Sequence, residues 1–263
     1  MDVQLTKTRS PLQQLNNILK TRCGGALSIS IYSGSELTPD KLSMTFDKTH
    51  HIDFIICLNY LRQCISSISC KINPEEHYVE FSSKTQSMYE SRKYNVLLRS
   101  VLILLCPYIT YNNREPINRI ISRAINPASI YLMAKYFYAY NDKLNEYMNE
   151  NGLTNNTLTP SVVEDFYYNN DSSDMDIDDE EKLAAYFENN ENIGNPVLLT
   201  LELTNEYISR ANEIFNTTIT KLICPEDRIG GSRKKNRRRS RRTTSKSKRR
   251  RTTFKSKKRR TIN

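Results

Sequence analysis

No stretch of this 263-residue chain approaches the roughly 18 to 20 consecutive apolar residues that cross a bilayer, so no membrane span is expected. The first residues include Asp2, Gln4, Lys7 and Arg9 and lack the apolar core of a secretory signal, which leads us to expect a soluble intracellular protein. None of the six cysteines forms a Cys-x-x-Cys pair, and their setting in apolar runs predicts reduced core thiols, with disulfides not expected. Histidines number three. His50 and His51 have no second pair at zinc-finger spacing and His77 sits alone, so they read as surface histidines and no metal is expected. The carboxylates from Asp171 to Glu181 lack the oxygen spacing and central glycine of a calcium loop, and read as a solvated acidic segment.

Another absence divides the chain. From Ser232 to Asn263 there is no Asp or Glu against 18 Lys or Arg; 21 of the 39 basic residues therefore precede it, facing all 29 acidic ones. The body carries about −8 and the tail +18, so the net +10 describes neither. A segment so charged and so poor in apolar residues cannot bury enough surface to offset the entropy of ordering, which predicts a disordered basic tail over residues 229–263. Such an arm attracts polyanions by releasing their counterions, a salt-sensitive and sequence-independent effect. DNA or RNA is the expected partner. The residues that would meet phosphate are Arg233, Lys234, Lys235, Arg237, Arg238, Arg239, Arg241, Arg242, Lys248, Arg249, Arg250, Arg251, Lys257, Lys258, Arg259 and Arg260, with Phe254 as the lone aromatic. A nuclear import signal and an anionic membrane surface are competing readings of the same charge.

What the chain does contain is strand and helix in alternation. His77 to Thr85 reads as a strand, Tyr89 to Asn95 as a turn, and Val96 to Leu105 as a helix apolar on too many positions for one stripe, hence sandwiched. Cys106-Pro107 ends it. A helix opening directly after a strand points its free N–H groups and positive dipole end beyond the turn, where an anion would fit. Upstream, Ala26 to Tyr32 alternates like a strand and Thr38-Pro39-Asp40 like a helix start. Asp53 to Asn59 and Cys64 to Ile72 follow as β-rich runs, although helix stays open for residues 52–65. Downstream, Ile117 to Ala124 is strand-like, as is Pro196 to Leu203, and Thr204 to Leu222 has a helical apolar face.

After the Ile117–Ala124 run the chain reads Asn126-Pro-Ala-Ser129-Ile-Tyr-Leu132-Met-Ala-Lys135-Tyr-Phe137-Tyr138. Here it resembles the GNAT superfamily of acyl-CoA-dependent N-acyltransferases, whose second signature is an Asn at a strand end, a small residue three on, and a helix with Lys before Gly-Phe. Asn126, Ser129, Leu132 and Lys135 match in register, while Phe137 and Tyr138 replace the Gly and Phe. The first signature, Arg/Gln-x-x-Gly-x-Gly/Ala, falls on Glu90 to Asn95, so its Arg and both glycines are replaced. The resemblance implies acetyl-CoA as cofactor, with Ser91, Arg92, Lys93, Tyr94, Asn95, Asn126 and Ser129 around its phosphates. Lys93 and Asn95 would crowd a path that glycine leaves open, whereas Arg92 and Lys93 could reach phosphate by side chain. It also implies attack of an amine on the thioester, a carboxylate or ordered water to take the proton and often a Tyr to protonate the thiolate. The usual Tyr position is Met133; Tyr131 lies near it and Glu80 is the carboxylate candidate.

The fold expected is thus α/β, a GNAT-like mixed central sheet flanked by helices, with a disordered basic tail. The chain divides into a helical lead-in (1–25), the core (26–150), an acidic mobile insertion (151–192), the final strand and helix (193–228) and the tail (229–263). Abundant Tyr and Asn, with Gly230-Gly231 leading into the Arg/Lys/Ser/Thr tail, resemble proteins of large DNA viruses, which would place the chain in a host nucleus or cytoplasm, or in a virion. Two functions stay open: an acyltransferase or a degenerate relative, and a non-enzymatic nucleic-acid-associated structural protein.

Overall fold

Alternating and continuous apolar runs build the sheet. A computed structural model describes residues 3–43, 51–85, 92–111, 117–124, 126–169 and 197–222. The tail, the Asp171–Glu181 stretch, Gly230-Gly231 and Ser91 lie outside them. Strands β2 (Leu27–Ser33), β3 (Phe54–Tyr60), β4 (Gln63–Asn73), β5 (Tyr78–Thr85), β7 (Arg119–Ala124) and β8 (Val197–Glu202) form one six-stranded sheet in the order β2-β3-β4-β5-β7-β8. A two-residue pair of β1 (Val3–Gln4) and β6 (Thr110–Tyr111) stands apart. Every neighbour in the large sheet is antiparallel except β5 and β7, which run parallel. The fold is mixed α/β with a central sheet flanked by helices, and the order of strand, helix (the short α2, Pro39–Leu42), three-strand meander, helix, strand, helix is the one expected.

The segment 52–65, where helix was open, is strand: all seven residues of β3 are buried, as a strand covered on both faces requires. Its hairpin to β4 turns on Leu61 and Arg62, both at positive φ (48° and 72°). That is the primed two-residue geometry that matches strand twist, here without the usual Asn-Gly.

Helix α3 (Arg92–Leu105) packs on β3, β4 and β5 and is covered by α7 (Asn205–Thr220) and α1 (Arg9–Cys23). Val96, Leu97, Leu98, Val101, Leu102, Ile103 and Leu105 are all buried, so the all-round apolar pattern does mark a sandwiched helix. It begins at Arg92, within the expected turn. Arg22 donates to the carbonyls of Ile219 and Leu222, and Lys93 to that of Lys221, so two cations meet the carbonyl end of α7 and the residues that follow it. After β7, α4 (Pro127–Phe137) packs on β7, β8 and α7.

Two helices go beyond the sequence reading. The residues after Tyr140 form α5 (Asp142–Glu150), capped by Asn141. Inside the segment read as a mobile insertion, Pro160–Asn169 is a helix, α6, which packs against α4 with Val163, Phe166 and Tyr167 buried. Its apolar face is one i, i+3, i+4 set, too short to stand out among the Asn and Glu around it. Residues 170–192 of that insertion lie outside the described residues. Cysteines 57, 64, 70 and 106 are free and buried. Cys23 departs from the expectation of reduced thiols: it is disulfide-bonded, at the end of α1 where Arg22 clamps that helix to the exit of α7.

Candidate functional site

A parallel pair in an otherwise antiparallel sheet has a consequence at its C-terminal end. The β5–β7 ladder holds from Tyr78↔Arg119 to Phe81↔Ser122 and stops there. Beyond it, β5 continues to Thr85 along β4, while Arg123 and Ala124 of β7 continue along β8. The sheet therefore splits, and α3 and α4 both start at the open end. Ligands of α/β sheets gather at such places, because backbone groups freed by the split and the positive ends of the following helices face one point.

The start of α4 is built by sequence-local chemistry. Asn126 is extended (φ −154°, ψ 151°) and its side chain accepts from the Ser129 N–H at 2.8 Å, while Pro127 fills the first helical position. Ser129 is half-buried and its hydroxyl accepts a hydrogen bond from Nη2 of Arg99 at 2.8 Å. The same Nη2 lies 3.3 Å from the hydroxyl of Ser83 on β5. Arg99 of α3 thus spans the split, one serine on each side, with its guanidinium carbon 5.8 Å from the Phe81 ring centre. It is 3% exposed, and its Nε and Nη1 have no hydrogen-bond partner among the described residues. Burial alone pushes its pKa down, to about 10, so it stays charged at neutral pH.

The other residues singled out in the sequence fall in several places. Lys93 is exposed and committed to the Lys221 carbonyl at 2.6 Å. Tyr94 is buried, 1% exposed, and Asn95 is half-buried in the first turn of α3. Arg92 opens that helix. Glu80, on β5 just before the split, accepts from Nε of Arg123 on β7 at 3.0 Å. Tyr131 is half-buried on α4 and meets Tyr136 edge-on at 6.4 Å. Met133, at the position where the resemblance implies Tyr, is buried in the core. His51 pairs with Asp53 at 3.0 Å, and Asp53 in turn accepts the Ile72 N–H. Among the described residues, no group of His, Cys, Asp and Glu is placed to hold a metal ion, and no helix is long and apolar enough to cross a membrane.

Arg99 is the functional candidate that the sequence reading passed over. A signal was there: it is the sole charge between Tyr94 and Leu105, in a helix whose pattern leaves no solvent face.

No protein-family profile matches the chain, and no curated protein matches it in sequence. Among solved structures it is similar to the loading GNATL domain of CurA from Lyngbya majuscula, at 12% identity and a TM-score of 0.30 over 77% of this chain and 97% of that one. At that overlap the assignment of fold rests on the chain's own strand order and register.

Proposed function

We propose that the body of the chain is an acyl-CoA-dependent N-acyltransferase, or a relative that keeps the binding site without turnover, and that the basic C-terminal segment holds it on nucleic acid. The observation that carries the first part is the split of the parallel β5–β7 pair towards the starts of α3 and α4. An acyl-pantetheine arm fits a split of this kind, because its amides can pair with strand groups that lack a ladder partner. The first-turn N–H groups of α3, from Arg92 to Asn95, face the same end and suit a pyrophosphate. In the reaction, the amine nitrogen attacks the thioester carbonyl, the C–N bond forms as the C–S bond breaks, and the amine loses a proton as the thiolate gains one. Glu80 is assigned the base role, which requires its carboxylate to leave Arg123, and Tyr131 the acid role. Acetyl-CoA should raise the melting temperature of the full chain and Asn95→Asp, which sets a negative charge beside the pyrophosphate, should reduce the gain. No shift with acetyl-CoA would remove the acyltransferase reading.

The division of charge favours the second part and also a wholly non-enzymatic reading, in which the body is a scaffold delivered to DNA or RNA by its tail, as in a virion component. Binding of acetyl-CoA at the split separates the two.

A further inference from the structure

Arg99 presents an imbalance that the fold does not resolve. A guanidinium carries five N–H donors, and the two serine hydroxyls engage only Nη2, leaving the donors of Nε and Nη1 without an acceptor among the described residues. Serine hydroxyls are neutral. Among the described residues, no carboxylate forms an ion pair with this side chain. A buried charge without a counter-charge costs several kcal/mol, and proteins almost always pair such groups.

The position of the imbalance gives it meaning. Ser83 lies on β5 beyond the last rung of the parallel ladder and Ser129 in the first turn of the 11-residue helix α4, so the two hydroxyls hold the guanidinium in the opening itself. Both serines are half-buried. The first turn of α4 adds its dipole to the same field.

We infer that Arg99 is a receptor for a carboxylate monoanion in the β5–β7 split, most simply the free carboxylate of an acyl group that ends in one. One positive charge in a buried site balances one negative charge. A phosphate, at about −1.5 to −2, would leave uncompensated charge in the same low-dielectric place. A planar carboxylate also matches the fork of donors on a guanidinium. The inference rests on the proposed acyl-donor site for the identity of the carrier, and on Arg99 alone for the anion.

The test uses the full chain at about 0.3 M salt, where the Debye length of roughly 5 to 6 Å suppresses attraction of CoA to the basic tail. Malonyl-CoA, acetyl-CoA and sodium acetate are titrated by calorimetry and thermal shift into wild type, Arg99→Met, Arg99→Lys and Glu90→Gln. Malonyl-CoA should bind wild type about ten- to a hundredfold more tightly than acetyl-CoA, the scale of a charge-assisted hydrogen bond. Arg99→Met should bring the two esters to parity, Arg99→Lys should keep part of the preference, and acetate should stabilise wild type but not Arg99→Met. Without ligand, Arg99→Met should melt no lower than wild type, because it removes an unbalanced charge while keeping the length of the side chain. Equal affinity for the two esters in wild type, together with no response to acetate, overturns the inference and needs no variant to fold. Anion binding that appears only in Glu90→Gln overturns it too, since the counter-charge would then be internal. If acetate binds through Arg99 and neither ester does, the carboxylate receptor stands and the acyl-donor reading falls.

Discussion

Asn126 and Asn141 cap successive helices with the same contact, yet their replacement should have different costs. Each accepts the N–H three residues on, from Ser129 at 2.8 Å and from Leu144 at 2.9 Å. Asn126 is exposed, while Asn141 is 7% exposed and also donates its amide to the Leu198 carbonyl on β8 at 2.9 Å. Loss of a cap costs about 1 kcal/mol, so Asn126→Ala should lose about that much. Asn141→Ala loses the cap and also strands a partly buried carbonyl, which adds about 1 to 2 kcal/mol for a total near 2 to 3 kcal/mol. Aspartate separates the two more sharply. At position 126 it can still accept from the helix and favours the dipole, so Asn126→Asp should be neutral or slightly stabilising. At position 141 it keeps the cap but turns a carboxylate on the Leu198 carbonyl, so Asn141→Asp should be less stable than Asn141→Ser. Urea denaturation of the variants at neutral pH gives the free energies directly. Equal losses for the two alanine variants, or a stable Asn141→Asp, would refute the role given to the Asn141–Leu198 bond in fastening the outer edge of β8.

The Leu61-Arg62 turn holds two side chains at positive φ, and replacing the pair by Asn-Gly should raise stability by about 1 to 2 kcal/mol; an unchanged denaturation midpoint would show that the turn relaxes in solution. Glu80→Gln breaks a partly exposed ion pair worth about 0 to 1 kcal/mol, so it should scarcely alter stability, whereas a base role requires a large loss of acyl transfer. A fall in both together would assign Glu80 to structure. Ending the chain at Ile229 should abolish nucleic-acid binding that, with about six phosphate contacts, weakens by roughly three orders of magnitude between about 50 and 200 mM salt. Retained binding by the shortened chain would move that interface into the body.

The elements that were legible in the sequence are those whose apolar period is long or whose ends carry a chemical mark. α3 was readable because a run apolar on every side must be sandwiched, and α4 through the resemblance carried by Asn126, Ser129, Leu132 and Lys135. Residues 52–65 could not be settled in advance, since a seven-residue run buried throughout has no period to read. α6 was missed because Val163, Phe166 and Tyr167 give a face one turn long, which packing against α4 completes. Of the site, the two strands and α3 were traceable to local pattern, and α4 with Asn126 and Ser129 to the resemblance. The bridge from Arg99 to Ser83 and Ser129 was not, because it joins residues 16 and 30 positions apart through a split that only the sheet register reveals. The same holds for Lys93, read as a phosphate ligand before α7 was known to end beside it.

The central claim is that an acyl-CoA lies in the opening between β5 and β7. Hydrogen–deuterium exchange of the full chain with and without acetyl-CoA tests it most directly, because a tail of 18 cations can attract CoA by charge alone and only a map of protected amides tells the two apart. The account predicts slowed exchange from Ser82 to Thr85 and from Ala128 to Ile130, surviving at about 0.3 M salt. Protection confined to residues beyond Ile229 and lost with salt, with both of those segments unchanged, would contradict it.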